Sequence, residues 1–223
     1  MGISTLIFDH TVSHNGQTAN AADIAYGGGK IALRNTNGRV YLYTGDFTND
    51  SWTDISGNTN MADRIDMSSD GLKLVYILSA TVKTYTISSA TITTLPVFTT
   101  TSGAGAGSTI DVAIDDNGTI YGTGTTGNTA SYGNTSIVYS FPTGAAAWTA
   151  EPEARGVQKI TGGVAGEAWG SVNIGSTFPQ TIYTRVTDNN GIHLWLDDER
   201  VKNSPALFSN AIMMEYNAGT YRI

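Results

Sequence analysis

Apolar positions in this chain do not follow a helical period. They fall in short runs of β-branched and aromatic residues, each ending at the Gly, Asn, Asp or Ser of a tight turn. Asp23-Ile-Ala-Tyr26 precedes Gly27-Gly28-Gly29, and Lys30-Ile-Ala-Leu-Arg34 leads into the turn Asn35-Thr-Asn37-Gly38. Arg39-Val-Tyr-Leu-Tyr43 and Trp52-Thr-Asp-Ile55 complete this first unit. A second comprises Arg64–Met67, Leu72–Leu78, Val82–Ile87 and Thr91–Leu95, with Ser69-Asp70-Gly71 at its first turn. A third comprises Ile110–Ile114, Thr119–Tyr121, Ser136–Phe141 and Ala147–Thr149. The fourth is Val157–Ile160, Trp169–Asn173, Thr181–Val186 and Ile192–Leu196. A fifth, shorter unit has Ala211–Glu215 and Thr220–Ile223.

First-strand isoleucines stand at 24, 65, 110, 160 and 212, separated by 41, 45, 50 and 52 residues. That is the period of a four-stranded propeller blade, about 40–50 residues. Middle strands such as Leu74-Val-Tyr-Ile-Leu78 are apolar at every position, as a sheet covered on both faces requires. Alternation is expected mainly at outer strands such as Thr91-Ile92-Thr93. A sandwich or jelly roll also uses many short strands, but the repeated order of strand, Gly turn, long strand and Tyr-bearing strand favours a propeller. The expected fold is therefore all-β: one domain over 1–223, a five-bladed β-propeller. The N-terminal strand Ser4–Phe8 is expected to pair into the C-terminal blade and close the ring, leaving no strand edge at the seam. Thr99–Gly107 and Gly122–Asn134 are polar, low-complexity inserts expected at the surface.

The fullest unit contains Trp148, Ile160, Gly163, Gly166, Trp169-Gly170, Ile182-Tyr183 and Arg185. In that order these residues resemble a tectonin-type repeat: a Trp, an Ile before a Gly turn, then G-x-x-W-G and I-Y-x-R. The first unit matches in part, through Gly29, Val40-Tyr41 and Trp52-x-x-Ile55, and the second lacks the tryptophans. The resemblance implies a sugar-binding or scaffold propeller. Five blades are similar in overall size to the five-bladed horseshoe-crab-type lectins.

Composition narrows the function. Lys and Arg number 12 against 19 Asp and Glu, a net charge of −7, and the basic residues are scattered. Such a surface disfavours nucleic acid, whose phosphates need clustered cations. The N-terminus lacks the basic flank and apolar core of a signal peptide, and no run approaches a membrane-spanning length. There is no cysteine, so disulfides and thiolate metal sites are excluded. Polarity comes from Ser, Thr, Asn and 26 glycines.

Catalytic signatures are missing: no G-x-S-x-G, no H-E-x-x-H and no Cys nucleophile. His10, His14 and His193 are too scattered for metal spacing. Asp115-Asp116-Asn117-Gly118 lacks the remaining ligands of a calcium loop and reads as a hairpin turn. Asp197-Asp198-Glu199 reads as a solvated loop, and Asp23, Asp66 and Asp111 on the first strands, which line a propeller's channel, are the better acidic candidates, with structural hydrogen bonds or channel water their expected use. The candidate ligand site is a glycan site built from Trp148, Tyr183, Arg185, His193, Trp195 and Asp197. Trp195 is the preferred stacking platform, flanked by His193 and Asp197; packing between blades is the competing use of each indole.

The reading is a non-enzymatic recognition or assembly module. A surface composed for the outside, on a chain without an export signal, points to a phage virion component on the tail or capsid exterior, or an extracellular setting. Free tectonin-like lectin and glycosidase-like propeller enzyme are the alternatives. Expected partners are a glycan or host-envelope surface, or neighbouring virion proteins. No nucleic acid, membrane insertion, cofactor or metal is expected.

Overall fold

Strands that are apolar on both faces need cover on both faces, and the architecture follows from that requirement. The structure is a computed structural model that describes residues 11–14, 17–43, 52–55, 62–78, 81–97, 109–125, 136–163, 166–172, 182–187, 193–197, 215–217 and 220–222. The first sheet runs in the order β1 (Thr11–His14), β2 (Gln17–Gly27), β3 (Lys30–Asn35), β4 (Val40–Tyr43) and β5 (Trp52–Asp54). The second is β6 (Ala62–Met67), β7 (Lys73–Leu78), β8 (Thr81–Thr86) and β9 (Thr91–Thr94). The third is β10 (Thr109–Ile114), β11 (Ile120–Thr125), β12 (Ser136–Phe141) and β13 (Thr149–Arg155). The fourth is β14 (Val157–Gly162), β15 (Ala168–Val172), β16 (Ile182–Thr187) and β17 (His193–Asp197). A hairpin follows, β18 (Glu215–Asn217) and β19 (Thr220–Arg222). Every pairing is antiparallel between neighbours in sequence.

Three apolar cores lie between successive sheets. Ala25, Ala32, Val40 and Leu42 of the first sheet meet Met67, Leu74, Tyr76 and Tyr85 of the second. Val75, Ile77 and Val82, on the opposite face of the second sheet, meet Val112, Ile114, Ile137 and Tyr139 of the third. Ala113, Tyr121, Val138 and Ala154 then meet Val157, Ile160, Ala168 and Trp195 of the fourth. Thus β7 splits its side chains between two cores, and so does β12, which is buried at every position. The inner strands β2, β6, β10 and β14 carry the contacts from one sheet to the next. The arrangement is all-β and propeller-like.

Several expectations need correction. Among the described residues there are four sheets of blade size plus one two-stranded hairpin, so four blades stand where five were expected. Ser4–Phe8 lies outside the described residues. The most N-terminal strand described, β1, pairs with Gln17–Asn20 of β2, while Ala21–Gly27 of the same strand pairs with β3. Outer strand β9 does not alternate; all four of its residues are exposed. The insert expected from Gly122 begins as strand, because β11 continues to Thr125 against Ser136. Thr99–Gly107 lies outside the described residues.

Glycines set how closely the sheets approach at one rim. Gly27, the last residue of β2, and Gly28, in the turn that follows, lie against Ser68 to Gly71 in the turn after β6, and the Gly28 N–H donates to Ser69 O at 2.8 Å. A Cβ on Gly27 would stand 2.0 Å from Ser68 O. Gly29, at φ 76°, would meet nothing within 4 Å. Gly27→Ala should therefore cost about 3 kcal/mol through overpacking of the seam, and Gly29→Ala only about 1 kcal/mol through backbone strain. Equal losses on denaturant unfolding would contradict this seam.

Candidate functional site

Three of the four described inner strands carry an aspartate that reaches the next sheet. The Ile65 N–H donates to Asp23 Oδ2 at 3.2 Å, the Ile114 N–H to Asp66 Oδ2 at 2.9 Å, and the Ile160 N–H to Asp111 Oδ2 at 3.0 Å. Every inner strand also breaks register near this level, between Ala21 and Asp23, Ala62 and Ile65, Thr109 and Asp111, and Val157 and Lys159. β6, β10 and β14 are edge strands with a ladder on one side only, so alternate amides on their free side can take a partner in another sheet. Of the two expected uses of these aspartates, structural hydrogen bonds and channel water, the geometry gives the first.

The carboxylates also sense one another. Burial raises the Asp66 carboxyl to about 7; the Ile114 and Met67 amides oppose the rise, and Asp111 and Asp23 add to it. Burial likewise raises Asp111 to about 6, against Lys159, the Ile160 amide and Arg64, with Asp23 again adding. Asp23 and Asp111 belong to sheets that are not neighbours, yet the charge of Asp23 adds to the rise at Asp111. Arg64 Nε stands 3.6 Å from Asp111 Oδ1. Among the described residues no three acidic or histidine side chains come together as a metal site.

A second polar cluster fills the seam between the third and fourth sheets. Arg185 of β16 donates through Nε and Nη2 to both oxygens of Glu151 on β13, at 2.9–3.1 Å. Its Nη1 donates to Tyr121 Oη at 3.0 Å and to Gly166 O at 2.9 Å, and its guanidinium lies 5.0 Å from the Tyr121 ring centre. The Tyr121 hydroxyl donates to Asp115 Oδ2 at 3.0 Å, which also accepts the Gly166 N–H at 2.9 Å. The Trp195 Nε1–H donates to Glu151 Oε2. Burial raises the Tyr121 phenol, outweighing Arg185, so the hydroxyl stays a donor. Asp115 also closes its own turn, accepting the Thr119 N–H at 2.8 Å, so the hairpin-turn reading of Asp115–Gly118 stands.

Three of the six residues expected at a glycan site therefore pack between sheets. Trp195 is 8% exposed and its indole N–H is engaged, so it presents no open stacking face. Trp148 is 8% exposed; its ring lies tilted against Phe141 at 5.1 Å between centres, and it donates through Nε1 to Pro96 O, at 2.7 Å, in the second sheet's last segment. Arg185 is buried in its ion pair. The side chains of Tyr183, His193 and Asp197 lie outside the described part of the molecule, although their backbones pair in β16 and β17. Trp169 is buried too, its ring against Gly163. Sequence reasoning missed Glu151, Tyr121 and Asp115 as one cluster. Pro152 follows Glu151, and the register of β12 with β13 breaks there, between Val138↔Glu151 and Ile137↔Arg155. A proline ordinarily argues against a strand, which hid this one.

No protein-family model and no curated protein matches this sequence. Among solved structures, the tricorn protease is similar over 79% of this chain and 22% of its own, with 10% identity and a TM-score of 0.53. A functionally unknown protein from Desulfotomaculum acetoxidans is similar over 80% of this chain and 55% of its own, with 15% identity and a TM-score of 0.48. This chain thus spans less than two thirds of either protein. At such identities the likeness to the protease concerns the fold alone.

Removing one partner of a buried ion pair strands the other charge, at about 3–5 kcal/mol. Glu151→Ala should cost that much and also leave the Trp195 N–H without its acceptor. Trp195→Phe keeps the ring and loses the donor, for about 1–3 kcal/mol. Urea unfolding of both variants checks this; a Glu151→Ala protein as stable as the parent would contradict the seam.

Proposed function

We propose that this chain is a non-enzymatic recognition or assembly module on a five-bladed propeller, acting on the exterior of a phage virion at tail or capsid. The observation that carries the reading is the outer edge of the second sheet. From Ile87 to Val97 there is no charged residue, all four residues of β9 are exposed, and Ile92 and Val97 are 42% and 48% exposed. An uncharged edge strand with apolar side chains in water is a surface suited to pairing with another protein. In contrast, the described inner-strand carboxylates and the Glu151–Arg185 pair are committed to joining sheets. That division supports a scaffold with a docking edge over an enzyme.

A five-bladed ring is the arrangement we favour, with a fifth blade made from both ends of the chain. Ile24 and Tyr26, on the face of β2 opposite Ala25, are 51% and 68% exposed, whereas the faces between described sheets are buried. The hairpin β18–β19 and the pairing of β1 with the first half of β2 supply four strand segments to cover them.

The test uses phage particles and envelope fragments from bacteria. Ile92→Lys and Val97→Glu should melt like the parent, since both side chains are exposed, and should lose at least ten-fold in binding to particles or envelope. Unchanged binding by both variants, or release of new reducing ends from a glycan, would overturn the reading.

A further inference from the structure

We propose that β9 of one copy pairs antiparallel with β9 of a second copy, joining two second sheets into one continuous sheet. This pairing rests on the docking edge proposed for function and names its occupant, the same edge of another copy of this chain.

The sheets of blade size end in the outer strands β5, β9, β13 and β17, and all but β9 are guarded against strand addition. β5 carries Asp54, held by Arg39 at 2.9 Å. β13 carries Glu151 and is interrupted by Pro152, and β17 ends in Asp197. Charge and proline are the usual means by which an edge is closed to another chain. β9, Thr91-Ile-Thr-Thr94, has neither, and all four of its residues are exposed. Among the described residues β8 is its sole strand partner.

The pairing with β8 fixes which backbone groups of β9 face outward. Thr91, Ile92, Thr93 and Thr94 stand opposite Thr86, Tyr85, Thr84 and Lys83. The next N–H, that of Leu95, donates to Val82 O at 2.9 Å. Hydrogen-bonded positions alternate along an antiparallel ladder, so Thr91 and Thr93 bond inward to β8. The N–H and C=O of Ile92 and Thr94 therefore point away from the sheet. A strand that satisfies them must present two outward residues with one between, and β9 of a second copy does so. With Thr93 against Thr93 on a twofold axis, Ile92 of each copy meets Thr94 of the other. Each of these pairs exchanges both of its N–H···O bonds, and the Thr93 pair is the close, non-hydrogen-bonded kind, about 4.5 Å between Cα atoms.

Charge selects the same partner. Each chain carries a net −7, so two copies repel except where their contact is neutral. From Thr84 to Ile110 the sequence holds no charged residue. The nearest cation in register, Lys83, lies one strand inward, and in the twofold pairing the two Lys83 residues fall in separate cross-strand rows. Threonine and isoleucine thus meet across the seam with no like charges opposed. A twofold contact uses up this edge on both copies, so the pairing stops at the dimer. One short strand from each copy falls below the roughly 1,200 Å² of stable interfaces, which makes the dimer weak and dependent on concentration.

The chain has no cysteine, so a single introduced thiol reads the register directly. Thr93→Cys sets two thiols across the axis, within the Cα separation of about 4.4–6.8 Å that a disulfide accepts, whereas Thr91→Cys sets them several residues apart. With oxidised glutathione and protein at about 100 µM, Thr93→Cys should form linked dimer roughly ten-fold faster than Thr91→Cys. Equal rates, or no linked dimer from either variant, overturn the pairing. In sedimentation equilibrium the parent should rise from the mass of one chain toward twice that mass as its concentration increases. A parent that stays monomeric up to about 1 mM overturns the pairing as well. Thr94→Pro removes one outward N–H and leaves the ladder to β8 intact, so it should melt like the parent and sediment as a monomer. A folded Thr94→Pro protein that dimerises like the parent contradicts the pairing. Should Thr94→Pro not fold, the cysteine variants decide. Copies that stay apart yet bind particles or envelope overturn the pairing and leave the docking edge standing. Copies that pair but bind neither support the pairing and overturn the docking role.

Discussion

The structure depends on a single constraint: its sheets are apolar on both faces, so no sheet can be stable alone. Leu74 and Tyr76 of β7 face one neighbour while Val75 and Ile77 face the other. Ile137, Tyr139 and Phe141 of β12 do the same against Val138. Burying one such Ile or Leu contributes roughly 1.5–3 kcal/mol, and that gain exists only when the next sheet is in place. The apolar faces therefore require stacking, and stacking brings the inner strands side by side.

Apolar faces alone do not fix register between neighbouring sheets. Directional bonds do. At the inner strands the aspartates hold isoleucine amides of the next sheet. At one rim, the turns after β2, β6, β10 and β14 are joined in series. Gly28 donates to Ser69 O, the Ser69 hydroxyl meets Asp116, and the Asp116 N–H donates to Gly163 O at 3.2 Å. Further out, Trp148 bonds across the seam between the second and third sheets, and the Arg185–Glu151–Trp195 cluster across the next. Polar groups that looked like candidates for ligand binding are spent on alignment.

Much of the fold was legible because it rests on local rules. Turn residues and β-branched runs marked nearly every strand of the four larger sheets, and the spacing of first-strand isoleucines marked the repeat. The strand edges were harder. Pro152 masked the continuation of β13, and the glycines of Gly122 and Gly124 masked that of β11, since both residue types argue against strand unless a neighbour supplies the pairing. The expected glycan site was less legible for a physical reason. His193, Trp195 and Asp197 share one face of a strand by their spacing, yet spacing does not say whether that face meets water or the next sheet. Trp195 meets Glu151, a residue 44 positions earlier in the chain, and no local pattern announces such a partner. The aspartates were easier, because an acid on an innermost strand lies within reach of the free amides of the next inner strand.

The central claim is that adjacent sheets stabilise one another so strongly that they unfold together. Trp148 reports on the seam between the second and third sheets, Trp195 on the seam between the third and fourth, and far-ultraviolet circular dichroism on all strands at once. The direct measurement is urea unfolding followed in parallel by tryptophan fluorescence and circular dichroism, using variants that keep only one of these two indoles. The account predicts coincident transitions with one midpoint for every probe. Separate midpoints, with the Trp195 seam opening while the Trp148 seam and most strands remain, would contradict it.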